Sequence, residues 1–228
     1  MYLIGIVGRP YKNKDGNNII QTHDRVRRLF MKYNDICTVT ILPTEDIDYL
    51  ENTGGIDKIN KEKISFILDK CDAIVMPGGS YSFNFDEYII DYAYNHNKPL
   101  LCICLGFQTL CNHYALNRTK HDMTLRKDLP LHMGDGLSYK HKVIIKDNNL
   151  LRDILNKDEI MTNSSHHNIV DFELKELVPI AYAEDNVLEA VYMPNKKFML
   201  GLQWHPEILY DENDKKIIDA FLEAMKED

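Results

Sequence analysis

The sequence predicts an α/β fold, a three-layer sandwich in which a central, mostly parallel (mixed) sheet is flanked by helices. Two observations carry this reading. Up to about residue 114, short runs of apolar, β-favouring residues alternate with longer segments of helical period, the signature of a parallel sheet covered by helices. After about residue 120, short alternating runs follow one another with turns between them, which adds antiparallel pairs to the parallel first half.

Taken in order, residues 1–7 read as a buried first strand, and residues 22–33 carry Val26, Leu29, Phe30 and Tyr33 at helical spacing. A second strand over 38–42 ends at Pro43. Residues 59–70 repeat the helical pattern with Ile64, Ile67 and Leu68, and the strand 73–76 is closed by Pro77-Gly78-Gly79. A helix over 86–95, a strand over 99–103 and a helix over 105–114 complete this half. The later strands fall at 142–145, 180–183, 187–192 and 198–203. A last helix over 214–225 places Ile217, Ile218, Phe221, Leu222 and Met225 on one face. The polar stretch 117–135, with Pro130 and Gly134, reads as a mobile surface loop. With no repeat and no low-complexity tract, residues 1–228 are expected to form one domain.

Composition removes several function classes. Lys+Arg 27 against Asp+Glu 35 gives a net charge of −8 and a pI near 5.6, without the basic stripe that a nucleic-acid surface needs. The first ten residues are apolar only in part and lack a basic n-region and a cleavage site, so no signal peptide is expected. No apolar run approaches the roughly 18 residues that span a bilayer, so no membrane partner is expected. Five cysteines, Cys37, Cys71, Cys102, Cys104 and Cys111, form an odd set without a C-x-x-C pair. That pattern suits reduced thiols in the cytoplasm.

The most informative segment runs Leu100-Leu-Cys-Ile-Cys-Leu-Gly-Phe-Gln108, where an apolar strand gives way to a helix within two residues. Cys104 sits at the corner, and small residues are required two before it and two after it because strand and helix approach closely there. Cys102 and Gly106 satisfy that requirement. The corner also puts the Cys104 sulfur at a helix N-terminus, where unpaired N–H groups favour an anionic nucleophile. Cys102 and Cys111 read as core residues, and C-x-C without a second cluster does not make a metal site.

A cysteine nucleophile needs a base, and Gly201-Leu-Gln-Trp-His-Pro-Glu207 offers one. His205 follows an apolar strand, and Glu207 can fold back to fix its tautomer. In Asn163-Ser-Ser-His-His-Asn168, the adjacent His166 and His167 face opposite ways and cannot chelate one ion together; a polar substrate-lining loop is the better reading. His132 and His141, among others, read as surface or core residues. No cofactor and no metal are expected.

Together these residues resemble class I glutamine amidotransferases and the γ-glutamyl hydrolases of the peptidase C26 group, similar to those that cleave γ-glutamyl-γ-aminobutyrate. The matching fragments are Ile4-Gly5-Ile6, Asp72-Ala-Ile-Val-Met-Pro-Gly-Gly79, Ile103-Cys-Leu-Gly-Phe-Gln108, Asn163-Ser-Ser-His-His167, Leu188-Glu-Ala190 and Leu200-Gly-Leu-Gln-Trp-His-Pro-Glu207. The resemblance implies a flavodoxin-like class I glutaminase fold with Cys104 as nucleophile, His205 as base and acid, and Glu207 as orienter. It implies an oxyanion hole of N–H groups from Gly78, Gly79 and Leu105. Gln108, Ser165, His166 and His167 would contact the glutamyl part of a small γ-glutamyl substrate. Tyr81 and Phe83 in the short segment 80–86 would face the leaving amine.

Two activities fit. A hydrolase acting alone, monomer or homodimer, agrees with the Asn-Ser-Ser-His-His loop. A glutaminase subunit serving a separate synthase agrees with Cys-Leu-Gly-x-Gln and with Leu105, where the hydrolases often carry Arg. At 228 residues no synthase domain fits alongside, which favours the hydrolase.

Overall fold

The computed structural model describes residues 1–45, 59–80, 82–116 and 129–226, together with the backbone of 47–50, 54–57 and 124–125. A nine-stranded sheet forms its centre, built from Tyr2–Val7 (β1), Ile36–Ile41 (β2), Ala73–Met76 (β3), Leu100–Ile103 (β4), His141–Ile145 (β5), Glu159–Thr162 (β6), Val178–Ala183 (β7), Leu188–Tyr192 (β8) and Met199–Leu202 (β9). The strand order is β6-β5-β7-β8-β9-β4-β3-β1-β2. From β9 to β2 every pairing is parallel; from β9 to β6 every pairing is antiparallel. The mixed character expected of the sequence is therefore present, divided at β9.

Seven helices are described: Asp24–Phe30 (α1), Lys61–Lys70 (α2), Asn84–Asn95 (α3), Leu105–His113 (α4), Leu150–Leu155 (α5), Pro206–Leu209 (α6) and Glu212–Lys226 (α7). The central parallel strands β3, β4 and β9 are short and apolar throughout because both faces are covered, whereas the edge strand β2 carries Thr38 and Thr40 and is largely exposed. On β3, Ala73 and Val75 join one buried cluster while Ile74 and Met76 join another; on β4, Leu101 and Ile103 separate likewise from Leu100 and Cys102. The first cluster takes Val26, Leu29 and Phe30 of α1 with Ile217, Ile218, Phe221 and Leu222 of α7. The second takes Ile64 and Leu68 of α2, Ile89, Ile90 and Ala93 of α3, and Phe107 and Leu110 of α4. These two cores are the spaces between three layers.

Asparagines mark helix starts. The Asn60 side chain accepts from Lys63 N at 3.1 Å, and Asn149 accepts from Leu151 N and Arg152 N at 3.0 and 3.1 Å.

The sequence reading omits two hairpins, Arg9–Lys12 with Asn18–Gln21 and Ile47–Leu50 with Gly54–Asp57, as well as β6 and α5. The polar stretch 117–135 needs correction at its end: Leu129 and His132 are buried, and the His132 and Met133 N–H groups both bond the Leu129 carbonyl. Thr124–Leu125 pairs with Asn168–Ile169, and 117–123 and 126–128 lie outside the described residues. Among the described residues no helix is long and apolar enough to cross a membrane.

Candidate active site

Cys104 is the single residue between the last residue of β4 and the first of α4. Its φ of 50° and ψ of −102° lie where few side chains go, so the corner is strained. Gly106 shows why the corner can close. A methyl group there would lie 2.2 Å from the Met76 carbonyl oxygen, so only glycine lets α4 lie against the end of β3. Cys102 and Cys111 are fully buried, and burial pushes both thiols up, away from reactivity.

His205 lies beyond the end of β9, adjacent to β4. Its Nδ1 is 2.8 Å from Glu207 Oε1 on α6, and its ring and the Cys104 side chain flank the same glycine, Gly78. Burial would lower the imidazole pKa, but the Cys104 sulfur and the Glu207 carboxylate outweigh burial and hold it well above the ordinary value. The three side chains that the sequence nominates from positions about a hundred residues apart thus form one contiguous row.

Asn163, buried at the end of β6, holds this histidine from behind. The His205 N–H donates to Asn163 Oδ1 at 2.9 Å, and Asn163 Nδ2 donates to the His205 carbonyl at 2.8 Å. On the other side Trp204 is buried and its indole N–H donates to Asp214 Oδ1 at 3.3 Å. Burial, and then the charge of Asp211, push the Asp214 carboxyl up to about 8.

Gly78 and Gly79 follow β3. A Cβ at Gly78 would lie 3.1 Å from His205 Cε1 and 3.5 Å from the Cys104 Cβ, and one at Gly79 would lie 3.1 Å from Leu105 Cδ2. Side chains here would fill the site, which is why the pair is glycine. The Arg9 guanidinium, just past β1, donates to the Pro77 carbonyl from both Nε and Nη2. A planar trans peptide points its N–H opposite to its carbonyl, so fixing Pro77 O also fixes the direction of the Gly78 N–H. Leu105 opens α4, and its N–H is among the donors that an α-helix leaves without an internal acceptor. The carboxyl ends of four neighbouring parallel strands, β9, β4, β3 and β1, therefore supply His205, Cys104, the glycine pair and Arg9, the position where open α/β sheets collect their sites, and Asn163 alone comes from the antiparallel half.

The remaining nominees divide. Gln108 is buried on α4 and donates from Nε2 to Gln203 Oε1 at 3.0 Å and to the Asn168 carbonyl at 3.5 Å. Ser165 and His167 are exposed, but His166 turns inward. Its Nδ1 donates to the Asn168 carbonyl at 3.0 Å, and its Nε2 is 3.0 Å from His132 Nδ1. His166 is thus removed from the exposed lining expected of this loop, because alternate side chains of the extended segment face opposite sides. Phe83 is also corrected. It is buried beside Phe85 with ring centroids 6.1 Å apart and belongs to the core. Tyr81 lies outside the described residues. Arg9 and Asn163 escape the sequence reading because they act on main-chain groups far along the chain. For Arg9 the available signal is a charged residue directly after a buried strand.

The fold is that of the class I glutaminases. The glutaminase domain of Trypanosoma brucei CTPS, solved with bound acivicin, superposes with a TM-score of 0.63 at 18% identity, covering 100% of this chain and 95% of that one. The chain belongs to the peptidase C26 family, whose model matches residues 84–207. A glutamine amidotransferase-like protein of Rickettsia prowazekii (RP404) is 36% identical over 78% of this chain and 87% of its own length. Another from Lactococcus lactis (YvdE) is 27% identical over 97% of this chain and 98% of its own.

Proposed function

We propose that this protein is a cysteine-dependent hydrolase that cleaves the γ-glutamyl amide bond of a small γ-glutamyl compound, releasing glutamate and an amine. The observation that carries the proposal is the row Cys104–His205–Glu207 at the ends of β4 and β9, with Gly78 against it. In this reading the Cys104 sulfur attacks the γ-carbonyl carbon. The carbonyl electrons move onto oxygen, which is stabilised by N–H groups of Gly78, Gly79 and Leu105. The imidazolium of His205 gives its proton to the departing nitrogen, the C–N bond breaks, and a γ-glutamyl thioester remains on Cys104. Water then attacks the thioester, His205 takes its proton, and glutamate leaves with the sulfur restored. Glu207 keeps the Nδ1 proton in place throughout. Ser165 and His167, the exposed side chains of the 163–168 segment, and Gln108 are assigned to the glutamyl part.

Membership of the C26 family supports hydrolysis as the end of the reaction. A second reading, a glutaminase subunit that passes ammonia to a separate synthase, is favoured by the likeness to the CTPS glutaminase domain. Measuring glutamate released from a panel of substituted γ-glutamyl amides and from glutamine separates the two. The hydrolase cleaves substituted amides faster than glutamine. Brisk cleavage of glutamine alone, with every substituted amide untouched, decides for the subunit.

A further inference from the structure

The Leu188-Glu-Ala190 motif takes no part in the proposed chemistry, yet Glu189 is fully buried on β8 and surrounded by imidazoles. Its Oε1 lies 3.2 Å from His132 Nδ1, 3.5 Å from His166 Nε2 and 3.7 Å from His141 Nε2. His132, His141 and Glu189 bring one donor atom each to within 4.8 Å of one another. A carboxylate without a neighbouring cation is costly in such a place.

The second nitrogen of each ring decides what the first can do. His132 Nε2 donates to the Asp185 carboxylate at 3.1 Å, His166 Nδ1 to the Asn168 carbonyl at 3.0 Å, and His141 Nδ1 to the Lys142 carbonyl at 3.3 Å. Those partners only accept, so each neutral ring carries its hydrogen on that side. With all three rings neutral, His132 Nδ1, His166 Nε2 and His141 Nε2 are lone pairs turned toward a carboxylate oxygen that has nothing to give, and His132 Nδ1 and His166 Nε2, 3.0 Å apart, need a proton or a cation between them. His141 Nε2 and both Glu189 oxygens indeed lack any hydrogen-bond partner of acceptable geometry. Lone pairs converging on a buried anion call for a positive charge at their centre. The outer hydrogen bonds to Asp185, Asn168 and Lys142 are the arrangement that metal-ligating histidines use to fix tautomer and orientation.

We propose that His132, His141 and Glu189, joined by His166, form a binding site for one divalent transition-metal ion of the zinc type. Glu189 Oε1 lies 3.2 to 3.7 Å from all three imidazole nitrogens and His132 Nδ1 lies 3.0 Å from His166 Nε2, spacings that suit it. Zinc with nitrogen and oxygen ligands at about 2.0–2.2 Å places neighbouring donors about 3.4 Å apart. The ion's two charges match those of Glu189 and Asp185. All four donor residues are buried, so the ion is structural. It ties the 129–134 and 163–168 segments to β5 and β8, and Asn163 carries that tie to His205.

The test uses the full chain, stripped with chelator, given zinc sulfate and desalted. One zinc per chain is retained, and Tm rises by several degrees relative to the stripped protein. Cobalt in place of zinc gives visible bands without a thiolate-to-cobalt charge-transfer band. Glu189→Gln and His141→Asn each weaken zinc binding by about 100-fold or more. Cys104→Ser leaves it unchanged, which separates this site from the sulfur of the active site. Failure of the unmodified chain to retain zinc, leaving protons to fill the cluster, overturns the proposal. A thiolate band in the cobalt spectrum, or full retention in both variants, does the same. Because the readout is metal content, its failure is distinct from any failure of the proposed hydrolase activity.

Discussion

Arg9 and Asp86 form an ion pair at 2.7 Å with side chains 3% and 0% exposed. Asp86 also accepts from the Phe83 N–H at 2.9 Å, so one carboxylate starts α3 and holds the guanidinium that holds Pro77. A buried pair is seldom kept for stability alone. Arg9→Met strands the Asp86 charge and costs about 3–5 kcal/mol. The double variant Arg9→Met, Asp86→Leu should recover much of that stability by chemical denaturation. Its kcat should stay at least about tenfold low, because the Gly78 N–H is no longer aimed. Recovery of rate along with stability would reduce the pair to a packing feature.

Cys104→Ala should abolish turnover, and a glutamine-like electrophile should label Cys104 alone in intact-mass and peptide analysis. Cys102→Ala and Cys111→Ala should lose stability rather than rate, since both side chains are fully buried. Label spread over several cysteines, or turnover by Cys104→Ala, counts against the assignment.

The His205 pair makes a prediction with a sign. The folded pKa of His205 is raised, so its charge stabilises the fold fully below about 6.5 and this contribution fades as pH rises through the folded pKa. Glu207→Gln removes one of the two groups that raise it. The alkaline limb of kcat/KM should therefore move to lower pH, and the stability lost relative to the parent should be larger in acid than in alkali. His205→Ala should cost about a thousandfold or more in kcat. An unmoved alkaline limb in Glu207→Gln would assign the limb to another group.

Asn163→Ala removes two hydrogen bonds from the His205 main chain and should cost about 1–3 kcal/mol of stability. If Asn163 positions the imidazole, kcat should fall with KM nearly unchanged, and Asn163→Asp should keep the bond from His205 N–H and recover part of the rate. A change in KM alone would place Asn163 with the substrate loop instead.

The parallel half of the sheet was legible because strands buried on both faces are continuous apolar runs, as at Ala73–Met76, and helices between them keep their period. The Cys104 corner was legible because small residues two before and two after it and an abrupt change of period coincide in five residues. β6 was not, since Glu159–Thr162 buries only Ile160 and Thr162 and has no apolar run. The Arg9–Lys12 hairpin was hidden because β3-type apolar runs were the guide. Its signal was Asp15-Gly16, with Gly16 at φ 80°. That His166 and His167 face opposite ways is a local pattern, but that His166 is the one turned inward depended on His132, His141 and Glu189 arriving from three other segments.

Trp204 is the only tryptophan of the chain, buried and one residue from His205, with its indole bonded to Asp214. Excited at its red edge, the protein carries a single intrinsic fluorophore, stationed by the fold where the imidazole is held. Quenching or a spectral shift then reports events at this corner of the molecule without any attached dye, including acylation or alkylation of Cys104. Burial pushes the carboxyl beside the indole up to about 8, so an emission change in mild alkali that Asp214→Asn abolishes, with the far-UV circular dichroism unchanged, records Asp214 losing its proton.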